Sequence, residues 1–287
     1  MPTIIRKKEI KADTQYSENV FQEYGIDSAV VKNIDPPFTL FLALIPPGHK
    51  NRAHYHIHST QGQYYLKGRL RHFFGPRYNE QSVDIEAGDY LYLPRGIIHH
   101  GMNLSDTEPV EILCAYAGVR SRFDSDKSDA ELFQSPFPQT RGNRTGEKRA
   151  MAATHIKGKG AKHTTSDDPP LDLESGIDST TIDNIDPPFV LSHAILPAGT
   201  KTRARYYTNC SCGIYMAKGK LRYIYFGPKC DEHGEDIEAG DYLYSPRGEI
   251  HYLFNPSKVD STDLVMVYAG VTGRKGSGKI YVEPPRD

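Results

Sequence analysis

No stretch of the 287-residue chain stays apolar for the ~20 residues that a membrane-spanning helix needs. The start, Met1-Pro2-Thr3-Ile4-Ile5-Arg6-Lys7-Lys8, lacks the apolar core of a secretory signal. A membrane partner is therefore not expected, and a cytoplasmic location is. Excess charge of either sign is missing too: 35 Lys and Arg against 36 Asp and Glu leave a net charge of -1. That balance removes the electrostatic argument for nucleic acid or an anionic lipid surface as a partner. Cysteine is scarce, and Cys114, Cys210, Cys212 and Cys230 read as reduced thiols of a cytoplasmic protein. Cys210 and Cys212 are one residue short of a zinc-knuckle spacing and have no matching second pair, so zinc is not expected there. Helical periodicity is also sparse, with a single short helix expected near Asp126 to Phe133.

What the chain does have is a repeat. Residues 25–119 return as 176–271. Gly25-Ile26-Asp27-Ser28 matches Gly176-Ile177-Asp178-Ser179, and the run from Asn33 to Phe38 recurs identically from Asn184 to Phe189. The run from Asp84 to Tyr92 returns as Asp236 to Tyr244, and Tyr116-Ala117-Gly118-Val119 as Tyr268-Ala269-Gly270-Val271. The register slips by one residue between Gly68 and Gly75, set against Gly219 and Gly227. Such a duplication is an internal control. What both copies share reads as scaffold, and what one copy alone holds is a candidate for chemistry.

Within each copy, short β-rich runs alternate with Gly, Pro, Asn and Asp about every ten residues, the pattern of a sandwich or barrel. Phe38–Ile45, Gln61–Lys67, Leu70–Phe74, Asp89–Leu93 and Val110–Tyr116 are the strands expected in copy one. Pro36-Pro37, Pro46-Pro47-Gly48 and Pro94-Arg95-Gly96 supply turns. The fold class is all-β. A first domain is expected over 1–122, a polar connector over 123–172 and a second domain over 173–287.

Only copy one carries the run Gly48-His49-Lys50-Asn51-Arg52-Ala53-His54-Tyr55-His56-Ile57-His58. On a strand, alternate side chains share a face, so His54 and His56 stand ~7 Å apart at their Cα atoms. Both imidazoles can then reach one cation at ~2.1 Å. His58 starts some 13 Å from His54, at a rise of ~3.3 Å per residue, which suits a cavity wall better than the same ion. A third ligand must come from another strand, and His99 is the candidate. On the following strand Gln61, Gln63 and Tyr65 share a face where copy two has Cys212, Ile214 and Met216. Polar groups pointed inward are costly unless partnered, so a wet cavity is expected there. Tyr64, His72, His100 and Tyr116 are lesser candidates for its wall.

The spacing Gly48-x5-His54-x-His56-x4-Gln61-x6-Gly68 resembles the first motif of the cupin superfamily, with Gln61 where glutamate is usual. Gly88-x5-Pro94-x-Gly96-x2-His99-x3-Asn103 resembles the second. The resemblance implies two tandem cupin (double-stranded β-helix, or jelly-roll) barrels. It also implies metal ligands at His54, His56, Gln61 and His99.

Copy two keeps the glycines, but Arg205, Tyr207 and Cys212 replace His54, His56 and Gln61, and only His251 matches His99. An arginine, always protonated, repels a cation, so one divalent ion per chain is expected. The resemblance favours Fe(II), while the donors alone would also accept Mn, Ni, Zn or Cu. With a neutral amide at Gln61 the site keeps the ion's full charge, which favours a small anionic oxygenated substrate. The leading expectation is a metal-dependent dioxygenase that oxidises or cleaves such a substrate, with O2 as a second ligand. Tyr65, Gln63 and His58 would position substrate or move protons. The alternatives are a non-oxidative isomerase or lyase acting on a sugar acid or related oxo-acid, and a non-catalytic bicupin that binds small molecules. Whether whole chains form a homodimer stays open.

Overall fold

A computed structural model describes residues 1–13, 20–32, 34, 36–75, 81–129, 153–158, 164–165, 171–183, 185 and 187–283. The chain is all-β, as expected, and its strands form two barrels, each made of a seven-stranded and a five-stranded antiparallel sheet. In the first barrel the larger sheet centres on Thr60–Lys67, Val110–Ala117 and Phe38–Ile45. The smaller runs Lys127–Asp129, His54–His56, His99–Asn103, Arg69–Phe74, Gln81–Glu86. The second barrel repeats this order, with Lys279–Tyr281, Arg205–Tyr207 and His251–Phe254 at the corresponding places.

Local chemistry explains the hairpins. Gly68 and Gly219 adopt φ +83° and +84°, a left-handed conformation that costs glycine little, and each joins two long strands. The repeated acidic run closes another turn: the Asp89 carboxylate accepts from Glu86 N at 3.3 Å, as Asp241 does from Glu238 N at 3.1 Å. Asp84 pairs with Arg69 and Arg71, and Asp236 with Lys220 and Arg222, so these shared acidic residues serve the scaffold.

The strand pairing crosses the repeat boundary. Thr3–Ile5 pairs with Tyr242–Ser245 in the second barrel, and Thr154–Ile156 pairs with Tyr90–Leu93 in the first. Each exchanged strand, with the residues just after it, clamps the turn aspartate. Arg6 (3.1 Å) and the Lys7 amide (2.8 Å) hold Asp241, while His155 (2.8 Å) and the Gly158 amide (3.0 Å) hold Asp89. Strands Lys127–Asp129 and Thr154–Ile156 thus fall inside the stretch that reads as a connector. The short helix expected near Asp126 to Phe133 does not form over 127–129, which is extended because it pairs with His54–His56, and 130–133 lie outside the described residues. A 3-10 turn, Arg122–Ser125, precedes it.

Three apolar cores follow from strand alternation. Phe41, Ala43 and Ile45 face into the first barrel, while Phe38 and Leu40 on the same strand face the second barrel. The third cluster lies between the barrels and joins Phe38, Tyr64 and Tyr90 to Phe189, Tyr215 and Tyr242. There the backbone must approach closely: a Cβ on Gly62 would sit 2.4 Å from the Phe189 ring, and one on Gly213 2.7 Å from the Phe38 ring. Tyr64, a lesser cavity candidate, therefore packs in this seam.

A candidate metal centre in the first barrel

His54 and His99 face each other directly across two strands, and His56 follows two residues along on the same face as His54. Their ligand atoms lie within 4.8 Å of one another, so the three imidazoles could hold a metal ion. The backbone presets the rings. His54 Nδ1 is 2.7 Å from Arg52 O and His99 Nδ1 is 2.8 Å from Ile97 O, so each Nδ1–H donates to a carbonyl and turns Nε2 inward. His56 Nδ1 lies 3.0 Å from the Ser125 hydroxyl.

Electrostatics keep these rings neutral. Burial pushes the His54 imidazole well below its ordinary value, and the Lys127 charge and the neighbouring imidazoles push the same way. Burial does the same to His56, reinforced by His99 and Lys127. Burial brings His99 down to about 4 despite its bond to Ile97 O. A neutral imidazole offers the lone pair that a metal ion needs. Three such donors, aimed at one point in a buried pocket, fit a divalent ion.

The inward face of Thr60–Lys67 is polar, as expected. Gln61, Gln63 and Tyr65 are all buried and form a row. Tyr65 Oη donates to Gln63 Oε1 at 2.8 Å, Gln63 Nε2 lies 3.5 Å from Gln61 Oε1, and Gln61 Nε2 lies 3.5 Å from His99 Nε2. Burial holds the Tyr65 phenol well above its ordinary range, so it remains a donor at any physiological pH. Gln61 and Gln63 open onto a cavity of about 40 Å³, and Tyr65 stands behind Gln63.

His58 is a correction. The strand ends at His56, the chain bends, and the His58 imidazole is 60% exposed beside Asp126, outside the cavity. His100 also points away from the cavity and stacks on Phe73, at 4.6 Å between ring centroids. His72 does line the cavity, as does Tyr116, whose ring lies 4.9 Å from that of His56. Gln22, Asn51 and Lys127 complete the polar wall and were not anticipated. Lys127 is placed by the strand that the connector reading overlooked: opposite His56 in register, it points to the same side. Burial lowers its ammonium to about 8, although Asp129 raises it. No carboxylate lines the cavity among the described residues.

In the second barrel Arg205 takes the place of His54, paired in register with His251, and is fully buried. Its Nε donates to Tyr207 Oη at 3.0 Å and its Nη1 to Arg203 O at 3.2 Å.

Comparison with known proteins agrees with this architecture. A cupin domain is matched over residues 41–116. No curated protein matches the sequence. Among solved structures, oxalate decarboxylase from Bacillus subtilis at pH 4.6 is similar at 14% identity and a TM-score of 0.73, over 97% of this chain and 78% of that one. A formate complex of oxalate decarboxylase from Lactobacillus farciminis is similar at 13% identity and a TM-score of 0.74, over 97% and 88%. A further Bacillus subtilis oxalate decarboxylase structure, at 14% identity and a TM-score of 0.73, concerns its Mn(II) centres. The expectations of a dioxygenase and of Fe(II) draw no support from these neighbours. At such identities the likeness establishes architecture, and the chain has the fold of two cupin-like jelly-roll barrels.

Proposed function

We propose that the first barrel binds one divalent ion through His54, His56, His99 and Gln61, and that the chain is a metal-dependent enzyme. It acts by non-oxidative lyase or isomerase chemistry on a small, oxygen-rich anion. One observation carries this reading: two members of the buried three-histidine cluster, His54 and His99, line a cavity of about 40 Å³ whose described lining holds a lysine and amides but no carboxylate. Neutral donors leave the ion's charge uncompensated, and Lys127 adds to it, so a compact anion is the complementary ligand.

A bound divalent ion would supply Lewis acidity toward a carboxylate or carbonyl oxygen. The protein's share is orientation. Carbonyls of Arg52 and Ile97 fix the imidazoles, Gln63 presents an amide to the cavity, and Tyr65 acts through Gln63 as a positioning residue. Fold likeness alone assigns no reaction. It does raise the prior for lyase chemistry and for Mn(II), since the similar structures are named as oxalate decarboxylase and one concerns Mn(II) centres. The second barrel is read as metal-free, because the Arg205 guanidinium stands where the first ligand would be.

The test is elemental analysis followed by turnover assays. Close to one metal ion per chain is expected, falling to near zero in His56→Ala. Mn(II)-loaded protein supplied with oxalate, and with a panel of small oxo-acids and sugar acids, is expected to turn over at least one of them under strict anaerobiosis. Turnover that consumes O2 stoichiometrically would instead make the chain a dioxygenase. Protein that takes up no metal would make it a binding protein.

A further inference from the structure

His72 is only 3% exposed, and neither of its ring nitrogens has a hydrogen-bond partner among the described residues. Buried polar atoms are nearly always satisfied, so a side chain with two unsatisfied nitrogens calls for a partner that comes and goes. The ring lines the same cavity as His54 and His99, stacked against His99 with centroids 5.5 Å apart and planes 22° from parallel. It stands on Arg69–Phe74, away from the strands that carry the three candidate ligands, and the grouping of atoms that could hold the ion does not include it.

The second barrel shows what this position looks like without a ligand. In the first barrel His72 lies directly across from Gly101, and in the second Tyr223 lies across from Leu253. The Tyr223 hydroxyl is satisfied inside the protein, with Ser245 Oγ at 3.0 Å and Glu249 Oε1 at 2.8 Å, and Leu253 is fully buried beside it. In the first barrel Gly101 lets Leu70 pack against the backbone, since a Cβ there would stand 2.6 Å from Leu70 Cδ2 and 3.4 Å from His72 Nδ1, and both Gly101 and His72 line the cavity. His72 therefore lines the cavity with both ring nitrogens unpartnered among the described residues, where Tyr223 ties its polar atom down inside the protein.

Resting on the reading of a metal-held anion, we propose that His72 is a substrate-orienting residue, whose ring N–H donates to an oxygen of a small carboxylate held at the His54, His56 and His99 cluster. A neutral imidazole has one donor and one lone pair, so a second polar atom of the ligand, or a water it carries, satisfies the other nitrogen. Such a site favours a ligand with oxygens at both ends, one for the ion and one for His72, over a monocarboxylate of the same size. The substrate class is thus a short dicarboxylate or 2-oxo acid.

The experiment uses the full chain loaded with Mn(II), with metal content measured by elemental analysis and anion binding by calorimetry. Oxalate and acetate serve as probes. In the wild type, oxalate is expected to bind more tightly than acetate. His72→Phe keeps a ring but removes both nitrogens. It is expected to keep its metal and weaken oxalate roughly ten- to a hundredfold, the usual worth of a hydrogen bond to a charged group, with acetate changed less. His72→Gln, which restores a donor, is expected to stay within about threefold of the wild type. Oxalate binding by His72→Phe equal to the wild type would overturn the proposal. So would loss of metal in both variants, which would make His72 a support for His99. Wild-type protein that holds Mn(II) but binds neither probe would overturn the anion reading itself, and the His72 role with it.

Discussion

Gln61 is where the donor set departs most from the cupin pattern, and its chemistry can be reversed by one substitution. Gln61→Glu places a carboxylate beside three neutral imidazoles. It is expected to raise divalent-metal affinity at least tenfold in a chelator competition and to weaken anion binding, because the net charge at the ion falls by one. His251 supplies a second test at this scale. Burial, then the charge on Arg205, pushes its imidazole down to about 3 although Nδ1 donates to Glu249 O. The unfolded chain protonates it near 6.5. Folding stability therefore holds above that pH and is lost as pH falls from about 6.5 toward 3, by about 2 kcal/mol at pH 5. Urea denaturation should show the gap between wild type and His251→Gln narrowing by that amount from pH 7 to pH 5. An unchanged gap would contradict the assignment.

Among the elements, the exchanged strands are the least expected. Thr3–Ile5 covers the edge of Tyr242–Ser245, and Ile5 buries its side chain in the core between the barrels. Removing residues 1–8 would uncover that edge and leave Asp241 without Arg6 and the Lys7 amide. An uncovered edge strand invites pairing between chains. The truncated protein is expected to melt several degrees lower and to aggregate near its midpoint, while still binding metal, since the cluster lies in the other barrel. Metal loss on truncation would mean that the barrels are coupled more tightly than their strand pairing indicates. The site depends on a similarly short element: Lys127–Asp129 brings Lys127 to the cavity wall by pairing with His54–His56.

For the whole molecule, the shared core decides how it unfolds. Phe38 and Phe189 each cross the seam and lie over a glycine of the opposite barrel. Phe189→Ala is expected to cost about 3–5 kcal/mol, the usual range for deleting a buried phenylalanine. Because both barrels line one core, calorimetry is expected to show a single transition for the wild type, and two separate transitions would refute the shared core. This seam also explains why Tyr64 and Tyr215 recur in both copies. They pack between barrels, so the repeat preserves them, while Gln63 and His72 face the first cavity and their counterparts Ile214 and Tyr223 pack into the apolar core of the second barrel.

Much of this was legible in the sequence, because strand alternation is a local property. Turn residues mark the strand ends, period two assigns the faces, and the repeat separates shared scaffold from the histidine cluster. His54 and His56, the inward row of Gln61, Gln63 and Tyr65, and the all-β class all follow from such short-range rules, while motif spacing marks His99, which joins the cluster only through pairing with His54. The tertiary structure decided whatever depends on pairing at a distance. His58 left the cavity because the strand stops at His56, a limit that no residue type announces. Lys127 entered it because a polar stretch found an edge to pair with, and a short strand ahead of each repeat paired with the other barrel. His72 drew its meaning from lining one cavity with His54 and His99, which stand on other strands. Hydrogen bonds between strands are made by backbone, which is the same for every residue, so partners remote in sequence are fixed only when the chain closes on itself.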